Sequence, residues 1–273
     1  MMRSETLRYF GMLGAAVLLA VSVIAGLTWR VDQLRLQRLE GVSTLFLGTS
    51  LMLFALPDPR GEQRLSEATG GEILRLAYSG ASEVRLLGLA RMGARAGVSH
   101  ILIEVNPIVA RFAFEPSDCG WRRRWLEEFR IVQRTGHAIL PWRHLFANGS
   151  GRVRRYPDGA NVDAALARNY PLQVRGPCLS GAWSDLIAHN PQSRFTFVAM
   201  PRAPIARDAI GAAGMAAFNA AAINFAQGTG AGVFLVDADG AWEDQYFADQ
   251  AHMSAAGGDR FQNALITWLG TSQ

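Results

Sequence analysis

Ser43-Thr44-Leu45-Phe46-Leu47-Gly48-Thr49-Ser50-Leu51 joins an apolar run to a glycine and a serine. Its first half is apolar almost without a break, which suits a strand buried on both faces. Gly48 permits a tight turn, and Ser50 then opens a helix. Four further apolar, β-rich runs stand at 73–78, 100–105, 194–200 and 232–237. Helical patterns lie between most of them. Residues 82–96 carry Val84, Leu86, Leu87, Leu89 and Met92, 205–226 are Ala-rich and amphipathic, and 255–269 align Phe261, Leu265 and Trp268 on one face. Strand and helix in alternation predict a three-layer α/β/α, flavodoxin-like fold around a five-stranded parallel sheet.

Two segments fall outside that rhythm. Residues 9–29 contain no charged side chain and are long enough to span a hydrocarbon core. They predict an N-terminal transmembrane helix within 1–30, anchoring a soluble domain over 31–273. Val23-Ile24-Ala25 before Gly26 also fits a signal-peptide cleavage site. Either reading puts the domain outside the cytoplasm. Arginines flank the segment on both sides, so charge alone does not orient it. The second segment, about 107–190, is too long for a simple crossover and reads as an insertion. Between Asn106 and Asn190 lie Trp121, Trp125, Trp142 and Trp183, with twelve arginines against seven acidic residues. Trp121, Trp125, Phe129 and Val132 recur at helical spacing, which favours packing over ligand contact.

Composition narrows the chemistry. All 27 basic residues are arginine, so Schiff-base, general-base and P-loop lysines are excluded. A net charge of +4 gives no argument for nucleic acid as a partner. No His/Glu cluster has metal-ligand spacing, and Asp237-Ala238-Asp239-Gly240 lacks that of a calcium loop. Gly228-Thr229-Gly230-Ala231-Gly232 precedes a strand, whereas a dinucleotide loop follows one. No metal and no cofactor are therefore expected. Cys119 and Cys178 read equally as one disulfide or as two separate thiols. A bridge across that loop would stabilise the fold by about 4 kcal/mol in the chain-entropy model.

Parallel α/β sheets place ligands beyond the carboxyl ends of their strands. Ser50, after the first strand, fits a nucleophile there, though an N-cap serine fits the same position. Gly80, in Tyr78-Ser79-Gly80-Ala81-Ser82, can offer its N–H to an oxyanion, or serve the turn alone. Asn106, in Glu104-Val105-Asn106-Pro107, can donate its amide to the same oxyanion, or be a turn asparagine. After the fifth strand comes Asp249-Gln250-Ala251-His252, in which His252 can take the Ser50 proton and Asp249 can orient the ring. Arg202, just past the fourth strand, is a substrate candidate by position.

Ser50, Gly80, Asn106 and the Asp249/His252 pair resemble the four blocks of the SGNH (GDSL-like) hydrolase superfamily, over roughly residues 41–270. The family's Gly-Asp-Ser is Gly48-Thr49-Ser50 here, and its Gly-x-Asn is Glu104-Val105-Asn106. The resemblance implies a catalytic triad of Ser50, Asp249 and His252, with an oxyanion hole built from Ser50, Gly80 and Asn106. With a membrane helix in front, the chain also resembles envelope proteins of alginate O-acetylation and teichoic-acid D-alanylation. That implies an inner-membrane, single-pass protein with its catalytic domain on the periplasmic side. It implies O-acetyl transfer to, or removal from, an exported polysaccharide, beside a multipass membrane acyltransferase. The contrasting expectation is a non-catalytic SGNH-like scaffold subunit of a polysaccharide synthesis or export complex.

Overall fold

The computed structural model describes residues 37–57, 60–78, 81–111, 173–237 and 242–271, with 11–16, 18, 19 and 22 near the N-terminus. Strand β1 (Thr44–Gly48) runs into the short helix α1 (Ser50–Ala55), followed by α2 (Arg60–Thr69) and β2 (Ile73–Ala77). Helix α3 (Glu83–Arg95) leads to β3 (His100–Glu104), α4 (Asn106–Val109) and the two-residue strand β4 (Ala110–Arg111). The chain returns as β5 (Gln173–Val174), α5 (Ser180–Ala188), β6 (Arg194–Ala199) and α6 (Pro204–Thr229), which is kinked at Gly211 where φ is 74°. Strand β7 (Gly232–Leu235), a 3-10 turn (Asp244–Tyr246) and α7 (Ala255–Thr271) complete it.

The main sheet has five parallel strands in the order β2-β1-β3-β6-β7. The predicted α/β class and sheet are thus found. Alternate side chains of each strand enter opposite layers. Leu45 and Leu47, Ile101 and Ile103, and Phe195 and Phe197 pack with Leu86 and Ala90 of α3, Trp183 of α5 and Phe218 and Phe225 of α6. Phe46, Leu102 and Val198 face the other way, onto Met52 of α1, Leu65 of α2 and Phe261 and Leu265 of α7. Each fully buried Leu or Phe of this kind contributes roughly 1.5–3 kcal/mol.

The sequence reading carries the strands one or two residues too far. Tyr78, Val105 and Val236 each still donate a backbone hydrogen bond to the neighbouring strand, to Gly48, Val198 and Ala199 respectively. The chain then bends away, so apolar character outlasts the ladder. The stretch read as an insertion also divides. Residues 107–111 and 173–190 belong to the α/β body: β4 pairs antiparallel with β5, and α5 is the covering helix between β3 and β6. Trp183 is fully buried there, edge-on to Phe197 with ring centroids 5.5 Å apart. Trp121, Trp125, Trp142 and Cys119 lie outside the described residues.

Of the apolar N-terminal segment, the described residues are helical, and Met12, Leu13, Leu18 and Leu19 are 62–70% exposed. Among the described residues, α6 is the helix long and apolar enough to cross a membrane by length and composition alone. It covers one face of the sheet over β6 and β7 through Phe218, Ala222 and Phe225.

Candidate active site

The site forms at the carboxyl edge of the sheet, where β1 and β3 part to serve opposite halves of the strand order. Such a switch point opens a crevice in doubly wound sheets. Leu47 pairs with Ile103, and Glu104 with Val198. Ser50 and Asn106 therefore each stand three residues beyond a paired position on adjacent strands.

Thr49 is the N-cap of α1, with extended backbone, and its side chain accepts the Leu51 N–H at 3.2 Å. Ser50 is thus the first helical residue, half-buried, with its hydroxyl at the sheet edge. At the far end of α1, the fully buried Arg75 on β2 donates from Nη1 to the carbonyls of Leu53 and Leu56. A cation on these last carbonyls satisfies groups the helix cannot.

The opposing wall is the loop after β7. Trp242 is buried and donates its indole N–H to the Val236 carbonyl at 3.0 Å. Phe247 and Met253 form an antiparallel bridge, and the Ala248 N–H reaches the His252 carbonyl at 2.8 Å. The loop is closed on itself at residues 248–252. Ser254, just before α7, accepts the Gly257 N–H at 3.2 Å in the manner of a helix cap.

Inside the closed loop, Asp249 is held from every side. Its Oδ1 accepts the N–H groups of Ala251 and His252, each at 2.8 Å, and its Oδ2 accepts the His252 Nδ1–H at 2.7 Å. The carboxylate is 3% exposed. Burial alone would raise its pKa. The hydrogen bond and charge of the His252 ring, with the two backbone N–H groups, outweigh burial and hold it below the usual carboxylate value. Because a carboxylate only accepts, the ring proton sits on Nδ1 and leaves Nε2 as an acceptor. Nε2 lies 2.8 Å from Ser50 Oγ. The Phe54 ring, 4.6 Å from the imidazole centroid, supports its face.

Asn106 is 6% exposed. Its Oδ1 accepts the Met200 N–H at 3.0 Å, which fixes the amide orientation, and among the described residues Nδ2 has no hydrogen-bond partner. A buried donor left open at the sheet edge that carries a serine can stabilise a developing negative charge. Ser50, Asp249, His252 and Asn106 are therefore brought to one sheet edge. Gly80 lies outside the described residues. Arg202 is 3% exposed, beneath the edge, with its guanidinium 5.6 Å from the Phe218 ring centroid and its charge facing Glu104.

Two features of the site escape the sequence reading. Glu104 is fully buried and both its oxygens bind Thr49. A lone acid at the end of an apolar strand was the available signal. The capping of α1 by Arg75 had none, since an arginine on an edge strand is ordinary. Away from the site, Cys178 is disulfide-bonded, and the two N–H groups of Cys178 and Leu179 each donate to the buried Glu83 carboxylate at 2.9 Å. Among the described residues no group of His, Cys, Asp and Glu could hold a metal ion.

No family model and no curated protein matches the chain. Solved structures do. One, from Parabacteroides merdae and provisionally described as a GDSL-like lipase, is 10% identical, with 85% of this chain and 96% of that chain covered and a TM-score of 0.46. Another, from Slackia heliotrinireducens and provisionally described as an SGNH hydrolase, is 14% identical, with 84% of this chain and 100% of that chain covered and a TM-score of 0.44.

Proposed function

We propose that the chain is a serine-dependent acyl-ester enzyme of the cell envelope that works through a Ser50 acyl-enzyme. The observation that carries this is the continuous relay from Ser50 Oγ to His252 Nε2 at 2.8 Å and from Nδ1 to Asp249 at 2.7 Å. An N-cap role explains Ser50 poorly, because Thr49 already caps α1.

The chemistry follows from the geometry. His252 Nε2 takes the hydroxyl proton as Ser50 Oγ attacks the acyl carbonyl carbon. Asp249 keeps the tautomer fixed and stabilises the imidazolium. The open Nδ2 of Asn106 and the Ser50 backbone N–H receive the oxyanion, and Gly80 is the third donor that the family resemblance suggests. Collapse of the tetrahedral intermediate breaks the ester C–O bond, and the leaving oxygen takes the proton from His252. Water or a sugar hydroxyl, deprotonated by the same ring, then releases the acyl group from Ser50.

The acceptor we infer is an exported polysaccharide, with O-acetyl as the group transferred or removed. Support comes from the uncharged residues 9–29, whose described members are helical and expose Met12, Leu13, Leu18 and Leu19. A single-pass anchor of this kind would hold the domain at the outer face of the inner membrane, beside a multipass acyltransferase that supplies acyl groups.

The test is acetate release from a simple acetyl ester, with and without an acceptor oligosaccharide. Wild-type protein should release acetate, and Ser50→Ala should lower the rate at least about a thousandfold. Acetylated oligosaccharide detected by mass would mark a transferase; acetate alone would mark an esterase. Equal rates for wild type and Ser50→Ala would remove the reading.

A further inference from the structure

The turn that presents Ser50 rests on a buried acid that the serine chemistry does not use. Glu104, the last residue of β3, is 0% exposed. Burying a carboxylate is costly unless its oxygens find donors. Thr49 supplies two of them: its N–H reaches Oε2 at 2.7 Å, and its hydroxyl reaches Oε1 at 2.7 Å and Oε2 at 2.9 Å. The same hydroxyl oxygen accepts the Leu51 N–H at 3.2 Å. With that lone pair occupied, the hydroxyl proton points to Glu104. Thr49 is therefore held by backbone and side chain together, and Ser50 is the next residue.

The space around this contact is closed. A Cβ on Gly48 would lie 2.8 Å from Glu104 Oε2 and would collide with the Met52 Cβ. Glycine is required at this turn for close approach, since the Gly48 backbone passes directly over the carboxylate. Burial raises the Glu104 pKa, and the Thr49 hydrogen bonds and the charge of the buried Arg202 act against that rise. The Glu104 side chain thus ties β3 to the β1–α1 turn at the level of Ser50.

We propose that Glu104 and Thr49 form a clamp that sets the position of Ser50 relative to His252, making both of them positioning residues for the serine reaction. The inference rests on the serine reading above. The clamp matters because the Ser50 hydroxyl and its own N–H must face one acyl group at once. A displacement of about 1 Å at such a centre lowers rate by up to about a hundredfold.

The test compares Thr49→Val, Thr49→Ser, Glu104→Gln and the Thr49→Val/Glu104→Gln double variant, each in the full chain. Two quantities are read: the rate of fluorophosphonate labelling at Ser50, and kcat and KM on an acetyl ester. Thr49→Val keeps the shape and the backbone N–H but loses the hydroxyl. It should lower labelling and kcat about ten- to a hundredfold with KM unchanged. Thr49→Ser should restore both to near the wild-type rate. Glu104→Gln turns an NH2 group toward one of the two Thr49 donors and should fall in the same range. The double variant should fall no further than the slower single variant, because both changes open one clamp.

Labelling of Thr49→Val at the wild-type rate overturns the clamp, as does a double variant whose losses multiply. Thr49→Val is near-isosteric, so its result stands if Glu104→Gln does not fold. A wild-type protein that takes no label removes the serine reading itself, and the clamp with it.

Discussion

At the scale of single residues, Asp249 couples chemistry to stability. Its folded carboxyl is held below the ordinary value, mainly by the His252 ring and two backbone N–H groups acting against burial. The sign of the linkage is that of a depressed acid. The stabilisation is complete above the unfolded Asp value of about 3.9 and is lost as pH falls through the lower folded value. Asp249→Asn should therefore be less stable than wild type near pH 6, and the difference in urea midpoint should shrink below about pH 4. A difference that stays constant across that range would mean the carboxylate's charge is not what the loop uses. Ser50, Asn106, Asp249 and His252 were legible in the sequence because each follows a strand end, where doubly wound sheets collect polar groups. Glu104 was not. In the sequence it is one acid on an apolar strand, and its role exists only because β1 and β3 are neighbours.

At the scale of elements, the site is held by packing at the start of α7 and around the loop before it. Gly257 stands where a Cβ would strike the Tyr246 carbonyl and come within 3.1 Å of the Met253 Cβ. Met253 is 2% exposed and next to His252. The loop is also tied sideways: the Arg260 guanidinium lies 5.2 Å from the Trp242 ring centroid and 4.8 Å from that of Tyr246. Gly257→Ala should thus displace residues 246–253, lower stability by about 1–3 kcal/mol and slow reaction at Ser50. Thermal melts and ester turnover on the same preparation would check it; a fully active, equally stable variant would contradict the packing argument. The strands and the helices α3 and α7 were readable from continuous apolar runs and helical periodicity, whereas α6 was readable from its alanine content, since its apolar residues do not keep to one face and Gly211 kinks it. The end of the insertion was not, because β5 and α5 carry polar residues on one side and gain their place through Trp183, Leu186 and the pairing of β5 with β4.

At the scale of the whole molecule, a second pH-sensitive group lies at the sheet edge opposite the chemistry. Ser50, Asn106 and His252 gather at the carboxyl edge. His100 opens β3 at the amino edge, with Nε2 2.9 Å from Thr196 Oγ1. Burial, with a smaller contribution from Arg194, lowers its pKa from 6.5 to about 4. The unfolded chain then binds this proton first, so stability falls as pH drops from about 6.5 to about 4, by up to about 3 kcal/mol. His100→Gln should flatten that part of the stability–pH curve while leaving ester turnover at neutral pH unchanged. The parallel sheet was legible from the alternation of strands and helices; the strand order, with its switch point between β1 and β3, and the separation of the two edges needed the register. The account as a whole depends on Ser50 being a nucleophile. The most direct measurement is fluorophosphonate labelling of folded wild-type protein, with the adduct mapped by peptide mass. An adduct on the Ser50 peptide, lost in His252→Ala, is the predicted result; folded protein that takes no label, or takes it at another residue, would contradict it.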